Sequence, residues 1–192
     1  MAMEFQITFD YLCPFARNTN EAVLNGLAAG RGWKVNFRPF CLSQVHRQEG
    51  EGDAFDDVSA SGVLALQWGI AAREVDPDDF HEIHRALFAA RHDQGLDIRD
   101  EAVLAQAVKE AGGDADAIAA AVASGEPAAL LRKEHEESVE RWDVFGVPTL
   151  IVGDQAVFVR LMSQGEPADI DRVLELIEWT DLNEYKHTRV PR

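Results

Sequence analysis

Apolar and polar residues alternate at the start of the chain. In Glu4-Phe5-Gln6-Ile7-Thr8-Phe9-Asp10 every second residue is apolar, the period of a strand with one buried face. The pattern breaks at Tyr11-Leu12-Cys13-Pro14, and from Phe15 to Leu27 apolar residues recur at helical spacing. Proline suits the first turn of a helix, where its missing N–H is not needed, so Pro14 opens the helix and Cys13 stands at a strand-to-helix junction. Gly30-Arg31-Gly32 stops it, and Trp33-Lys34-Val35-Asn36-Phe37-Arg38-Pro39-Phe40 alternates again as a second strand. A right-handed crossover makes the two strands parallel neighbours.

Leu42 to Asp57 is polar and glycine-bearing and reads as a loop with poor order or a lid. Val58 to Asp143 is rich in Ala, Leu, Glu and Arg at helical spacing and predicts four or five helices. Asp76-Pro77 opens one, Gly95 closes it, Asp97 or Asp100 caps the next, Gly112-Gly113 ends it, and Glu126-Pro127 opens the last. Val147 to Val152, a turn at Gly153-Asp154, and Gln155 to Val159 predict a β-hairpin, and Pro167 to Trp179 an amphipathic closing helix. The order β-α-β, helical block, β-β-α predicts an α/β fold with a mixed sheet, in which residues 1–57 and 144–192 form one domain and residues 58–143 an inserted helical domain.

Composition narrows the setting. A chain of 192 residues, 46% hydrophobic, can bury one sizeable core. No run approaches the ~20 apolar residues of a membrane span, and Met1 to Phe5 leaves no room for a signal peptide, so a cytoplasmic protein is expected. A formal charge of −16 argues against a nucleic-acid partner, which would need clustered Lys and Arg. Basic residues gather only in Tyr185-Lys186-His187-Thr188-Arg189-Val190-Pro191-Arg192, read as a solvated tail. Two cysteines, Cys13 and Cys41, are too few for a disulfide framework and fit a reducing compartment.

With Cys13-Pro14-Phe15-Ala16 opening the first helix and Gly146-Val147-Pro148-Thr149 entering the third strand, the chain resembles the DsbA family of thioredoxin-like proteins over nearly its whole length. The stretch from Ala86 to Ile98 is similar to the branch of FrnE-like proteins and hydroxychromene-carboxylate isomerases, and the ending Asn183 to Arg189 looks like tails of mycothiol-dependent members. The resemblance implies a thioredoxin-like fold, a catalytic cysteine at Cys13, a cis proline at Pro148 that exposes the Val147 backbone, and thiol binding by Pro14, Phe15, Ala16, Val147 and Pro148. It also marks a departure. Ala16 occupies the place of the family's second cysteine, so no intramolecular disulfide can form within the motif.

A helix N-terminus lowers a cysteine's pKa, and Phe15 adds no charge, so a reactive but not extreme thiolate is expected at Cys13. A lone thiolate can still take up a small thiol as a mixed disulfide and release it to a second thiol. The expected activity is therefore monothiol oxidoreduction with glutathione or mycothiol as co-substrate, or with a protein disulfide, without a tightly bound cofactor or a metal. The alternatives are a thiol-dependent isomerase or transferase, and a non-catalytic binding module; a homodimer is the assembly allowed for. Cys41, at the end of the second strand, is read as packed rather than resolving. His81, His84, His92 and His135 are read as solvated helix positions, and Trp33, Trp68, Trp142 and Trp179 as core or interface residues.

Overall fold

The computed structural model describes residues 3–57, 62–184 and 186–189. Strand β1 (Met3–Phe9) runs into helix α1 (Pro14–Ala28), which returns to β2 (Trp33–Pro39). Two short elements follow, α2 (Leu42–Val45) and a 3-10 turn at Ala54–Asp56. Five helices then intervene: α3 (Val63–Val75), α4 (Phe80–His92), α5 (Glu101–Glu110), α6 (Ala115–Ala123) and α7 (Glu126–Trp142). The hairpin β3 (Thr149–Val152) and β4 (Gln155–Phe158) and helix α8 (Pro167–Ile177) complete the order.

The four strands lie in the order β2-β1-β3-β4. β1 pairs parallel to β2, with Ile7 opposite Phe37, and antiparallel to β3, with Ile7 opposite Leu150. Phe5, Ile7, Phe9 and Phe37 share one face, where α1 and α4 cover them; Phe9 and Phe37 both meet the rings of α4. Thr8 and Arg38 point to the other face, where Arg38 donates to Ser138 Oγ at 2.8 Å and to the Glu134 carbonyl at 3.3 Å on α7. The alternation in sequence thus becomes two different layers, one aromatic and one built on a buried arginine.

Several expectations need correction. Leu42 to Asp57 is not a poorly ordered loop. Gln44 Oε1 accepts from Ala54 N at 3.0 Å, Asp53 pairs with Arg132 at 2.5 Å, and Phe55 is buried beneath that guanidinium and the His135 ring. His84 and His135 are buried, not solvated, because each ring faces aromatic neighbours across the sheet-facing side of its helix. Trp179 lies 57% exposed beyond the end of α8, whereas Trp68 and Trp142 are buried and Trp33 packs edge-on to Phe5. In the C-terminal tail Lys186, His187, Thr188 and Arg189 are exposed; Tyr185 and Val190–Arg192, like the predicted start of the helical block at Val58–Ser61, lie outside the described residues.

Candidate active site

Cys13 is the N-cap of α1. Its backbone is extended, its carbonyl accepts from Arg17 N at 3.0 Å, and its Sγ accepts from Ala16 N at 3.4 Å. Pro14 follows at the first helical position, as its fixed φ requires. Across the site the Val147–Pro148 peptide is cis, and the Val147 carbonyl accepts from Cys13 Sγ at 3.4 Å. Thr149 N donates to Thr8 Oγ1 at 2.8 Å, which docks the entry of β3 onto β1 and holds the Val147 carbonyl at the thiol. Cys13, Pro14, Ala16, Val147 and Pro148 are therefore brought together, and Phe15 stands at their rim, half-buried.

The expectation of a depressed pKa does not hold. Burial pushes the Cys13 thiol up from its ordinary value; the N–H groups of Ala16 and Phe15 and the charge of Arg160 only partly offset this. Cys13 is 8% exposed, and a carbonyl that accepts from S–H would repel the thiolate, so two features favour the neutral thiol. Cys41 is fully buried, its thiol pushed up to about 11, with its N–H given to His135 Nδ1 at 3.2 Å. Both cysteines are free, and Cys41 is a packed residue.

Sequence reasoning missed Asp10 and Arg160. Asp10, fully buried at the end of β1, accepts from Leu12 N at 2.9 Å and from Leu42 N at 2.8 Å, so one carboxylate ties the loop bearing Cys13 to the loop after β2. Its backbone carbonyl also accepts from Cys13 N at 3.0 Å. Gly62, with φ +92, lies so close that a Cβ there would meet Leu12 and the Asp10 carboxylate at 2.9 and 3.2 Å. The only sequence signal was a charged residue ending an apolar strand. Arg160 gave none, because only the hairpin fold brings it to Phe15. A cavity of about 350 Å³ opens beside Leu12, lined also by Arg91, Gly95, Asp97, Ile98 and Arg99. A larger one of about 640 Å³ lies between the N-terminal half of β1 and the end of α7, and Cys13 does not line it. Among the described residues no group of His, Cys, Asp or Glu is arranged to hold a metal ion.

The Asp10 carboxyl is raised to about 6 by burial, against 3.8 for a free side chain. The folded state therefore holds this proton more tightly than the unfolded one, and the stabilisation it brings is full below pH 3.8 and lost as pH rises through about 6. Asp10→Asn cannot titrate. Its unfolding free energy relative to the native protein is expected to shift in the variant's favour by roughly 2–3 kcal/mol between pH 4 and 6.5, read from denaturant midpoints. A pH-independent difference would show that the carboxyl is not held protonated.

Residues 5–168 match the model of the DSBA-like thioredoxin domain. The chain belongs to this family. The DSBA-like chain also shares its fold with solved structures. One is a 2-hydroxychromene-2-carboxylate isomerase, 18% identical, covering 95% of this chain and 100% of that one with a TM-score of 0.66. A probable DsbA oxidoreductase from Streptomyces coelicolor is 16% identical over 96% and 93% of the two chains, TM-score 0.65. The cytosolic disulfide reductase DsbM from Pseudomonas aeruginosa, solved with GSH, is 19% identical over 91% and 98%, TM-score 0.64. No curated protein gives a significant sequence match. At these identities the neighbours, oxidoreductases and an isomerase among them, establish the fold alone. No described helix is long and apolar enough to cross a membrane.

Proposed function

We propose that this DSBA-like protein is a cytoplasmic thiol-disulfide exchange enzyme that works through Cys13 alone, with a low-molecular-weight thiol such as glutathione or mycothiol as the second reactant. The observation that carries the reading is the Cys13 thiol at the N-cap of α1, facing the Val147 carbonyl, with the side chain of Ala16 where a resolving thiol would stand. The cytosolic neighbour solved with GSH supports the same choice of partner.

In this reading the Cys13 thiolate attacks one sulfur of a disulfide. The substrate S–S bond breaks, a bond from Cys13 Sγ to that sulfur forms, and the other sulfur leaves as a thiolate that takes a proton from water. A second small thiol then attacks the mixed disulfide, which returns Cys13 and releases a new disulfide. The Ala16 and Phe15 N–H groups favour the thiolate at both ends of this cycle. The Val147 carbonyl, which accepts from S–H in the resting state, must exchange that bond for another donor when substrate arrives.

Incubating the native protein with oxidised glutathione or mycothiol disulfide and mapping the adduct by mass spectrometry tests the proposal. One adduct on Cys13 and none on buried Cys41 is expected. Because burial raises the Cys13 thiol, the labelling rate should keep climbing with pH past the ordinary thiol range instead of levelling off near neutrality. No adduct on Cys13, or an adduct that a second equivalent of thiol fails to remove, would overturn it.

A further inference from the structure

The acidic surface of this protein sets a problem for an anionic substrate. With a formal charge of −16, the chain repels glutathione-like disulfides as a whole, and its cations are mostly occupied. Nine arginines hold carboxylates: Arg17, Arg31, Arg38, Arg73, Arg85, Arg99, Arg132, Arg141 and Arg172. Of the described arginines outside these pairs, Arg47, Arg91, Arg160 and Arg189, only Arg160, just past β4, lies over aromatic rings. Among the described residues no carboxylate pairs with it; its guanidinium lies 5.3 Å from the centre of the Phe15 ring and 5.1 Å from that of Phe158. Phe158 packs in turn on Phe145, a ring 66% exposed, 5.0 Å between centroids, two residues before Val147.

These contacts place a fixed cation at the rim of the thiol site. Phe15 is two residues from Cys13 in the first turn of α1, and Arg160 acts electrostatically on the Cys13 sulfur. Stacking on two rings restrains a guanidinium while leaving its N–H fork free to receive a carboxylate, the geometry that fixed bidentate recognition needs.

Resting on the monothiol reading above, the geometry points to Arg160 as a specificity-determining residue that receives a carboxylate of the incoming disulfide, so that the protein prefers anionic, carboxylate-bearing thiols to neutral or cationic ones. The exposed Phe145 ring and the half-buried Phe158 ring beneath it supply the apolar floor on which the rest of such a molecule would lie. The exchange step is unchanged: the substrate S–S bond breaks as the bond to Cys13 forms, and the leaving thiolate is protonated by water.

The test compares rates of Cys13 labelling by oxidised glutathione, which is anionic, 2-hydroxyethyl disulfide, which is neutral, and cystamine, which is cationic. Arg160→Gln is expected to slow labelling by oxidised glutathione roughly tenfold more than labelling by the neutral reagent, whose rate reads the loss of the cation's effect on the thiol alone, and to slow cystamine no more than the neutral reagent. Arg47→Gln, which removes an exposed positive charge from the loop after β2, should leave the ratio of the three rates as it is. The inference is overturned if Arg160→Gln slows all three reagents alike, because Arg160 would then act only on the thiol, or if it changes none. If none of the three labels native Cys13, the monothiol reading itself falls and takes this inference with it.

Discussion

Replacing His84 by alanine is expected to remove about 3–5 kcal/mol of folding stability, the largest single loss we anticipate in this protein. The His84 ring is fully buried among Phe9, Tyr11, Phe37, Phe80 and Phe88. It is also the centre of a polar chain. Tyr11 Oη donates to Nδ1 at 2.8 Å, and Nε2 lies 3.1 Å from Asn20 Oδ1, an arrangement that assigns the ring proton to Nε2. Asn20 Nδ2 then donates to the Ala16 carbonyl at 2.8 Å. Truncation therefore opens a cavity and leaves a tyrosine hydroxyl and an amide oxygen buried without partners. Both sit on the segment that carries Cys13, so the loss should also loosen the first turn of α1.

The same ring sets an acid limit. Burial lowers the His84 pKa to about 3, so the folded protein holds it neutral while the unfolded chain takes up a proton below 6.5. Its contribution is present above pH 6.5 and lost as pH falls toward about 3, opposite in sign to that of Asp10. Urea titrations of the native protein and His84→Leu at several pH values separate the parts. Leucine fills the cavity but cannot bond, so its remaining deficit at pH 7 reads the polar chain, and that deficit should shrink on acidification. Equal stability of His84→Leu and the native protein at pH 7 would show that packing alone matters.

Ala16→Cys is expected to redirect the chemistry of the site. Ala16 is fully buried, its N–H faces Cys13 Sγ, and residues three apart in the first turn of a helix lie within the ~4.4–6.8 Å Cα separation that a disulfide accepts. After labelling, the introduced thiol should attack the mixed disulfide and expel glutathione, leaving an intramolecular bond to Cys13. The fraction of protein retaining glutathione should drop at least about tenfold, since the intramolecular thiol competes at high effective concentration. The added sulfur overfills a packed position at a cost of about 1–3 kcal/mol, so the control is Ala16→Ser, which has similar bulk and cannot expel the thiol. Retention of glutathione by Ala16→Cys at native levels would mean that a feature other than the missing thiol isolates Cys13.

What was legible in the sequence follows from local rules. The two-residue period of Phe5, Ile7 and Phe9, the proline after Cys13 and the glycine at the Gly153 turn are determined within a few residues, so β1, the start of α1 and the hairpin could be read directly. The cysteine at the helix boundary and the proline facing it were legible for the same reason, aided by the family resemblance. The histidines were not. His84 and His81 stand three apart on one helix, and only the placement of α4 on β1 and β2 decides that one is buried and the other exposed.

Tertiary contacts dominate the reactivity of Cys13. A helix N-terminus favours a thiolate wherever it occurs, and sequence can see that much. Sequence cannot see desolvation by the surrounding core, a carbonyl delivered from Val147, a buried carboxylate at Asp10, or a cation held by Phe15 and Phe158. Each of these acts through space, over distances that the chain closes only by folding. Where the thiol stands, and that no second thiol follows three residues on, is written locally in the chain; folding sets how much of it is ionised and what charge it meets.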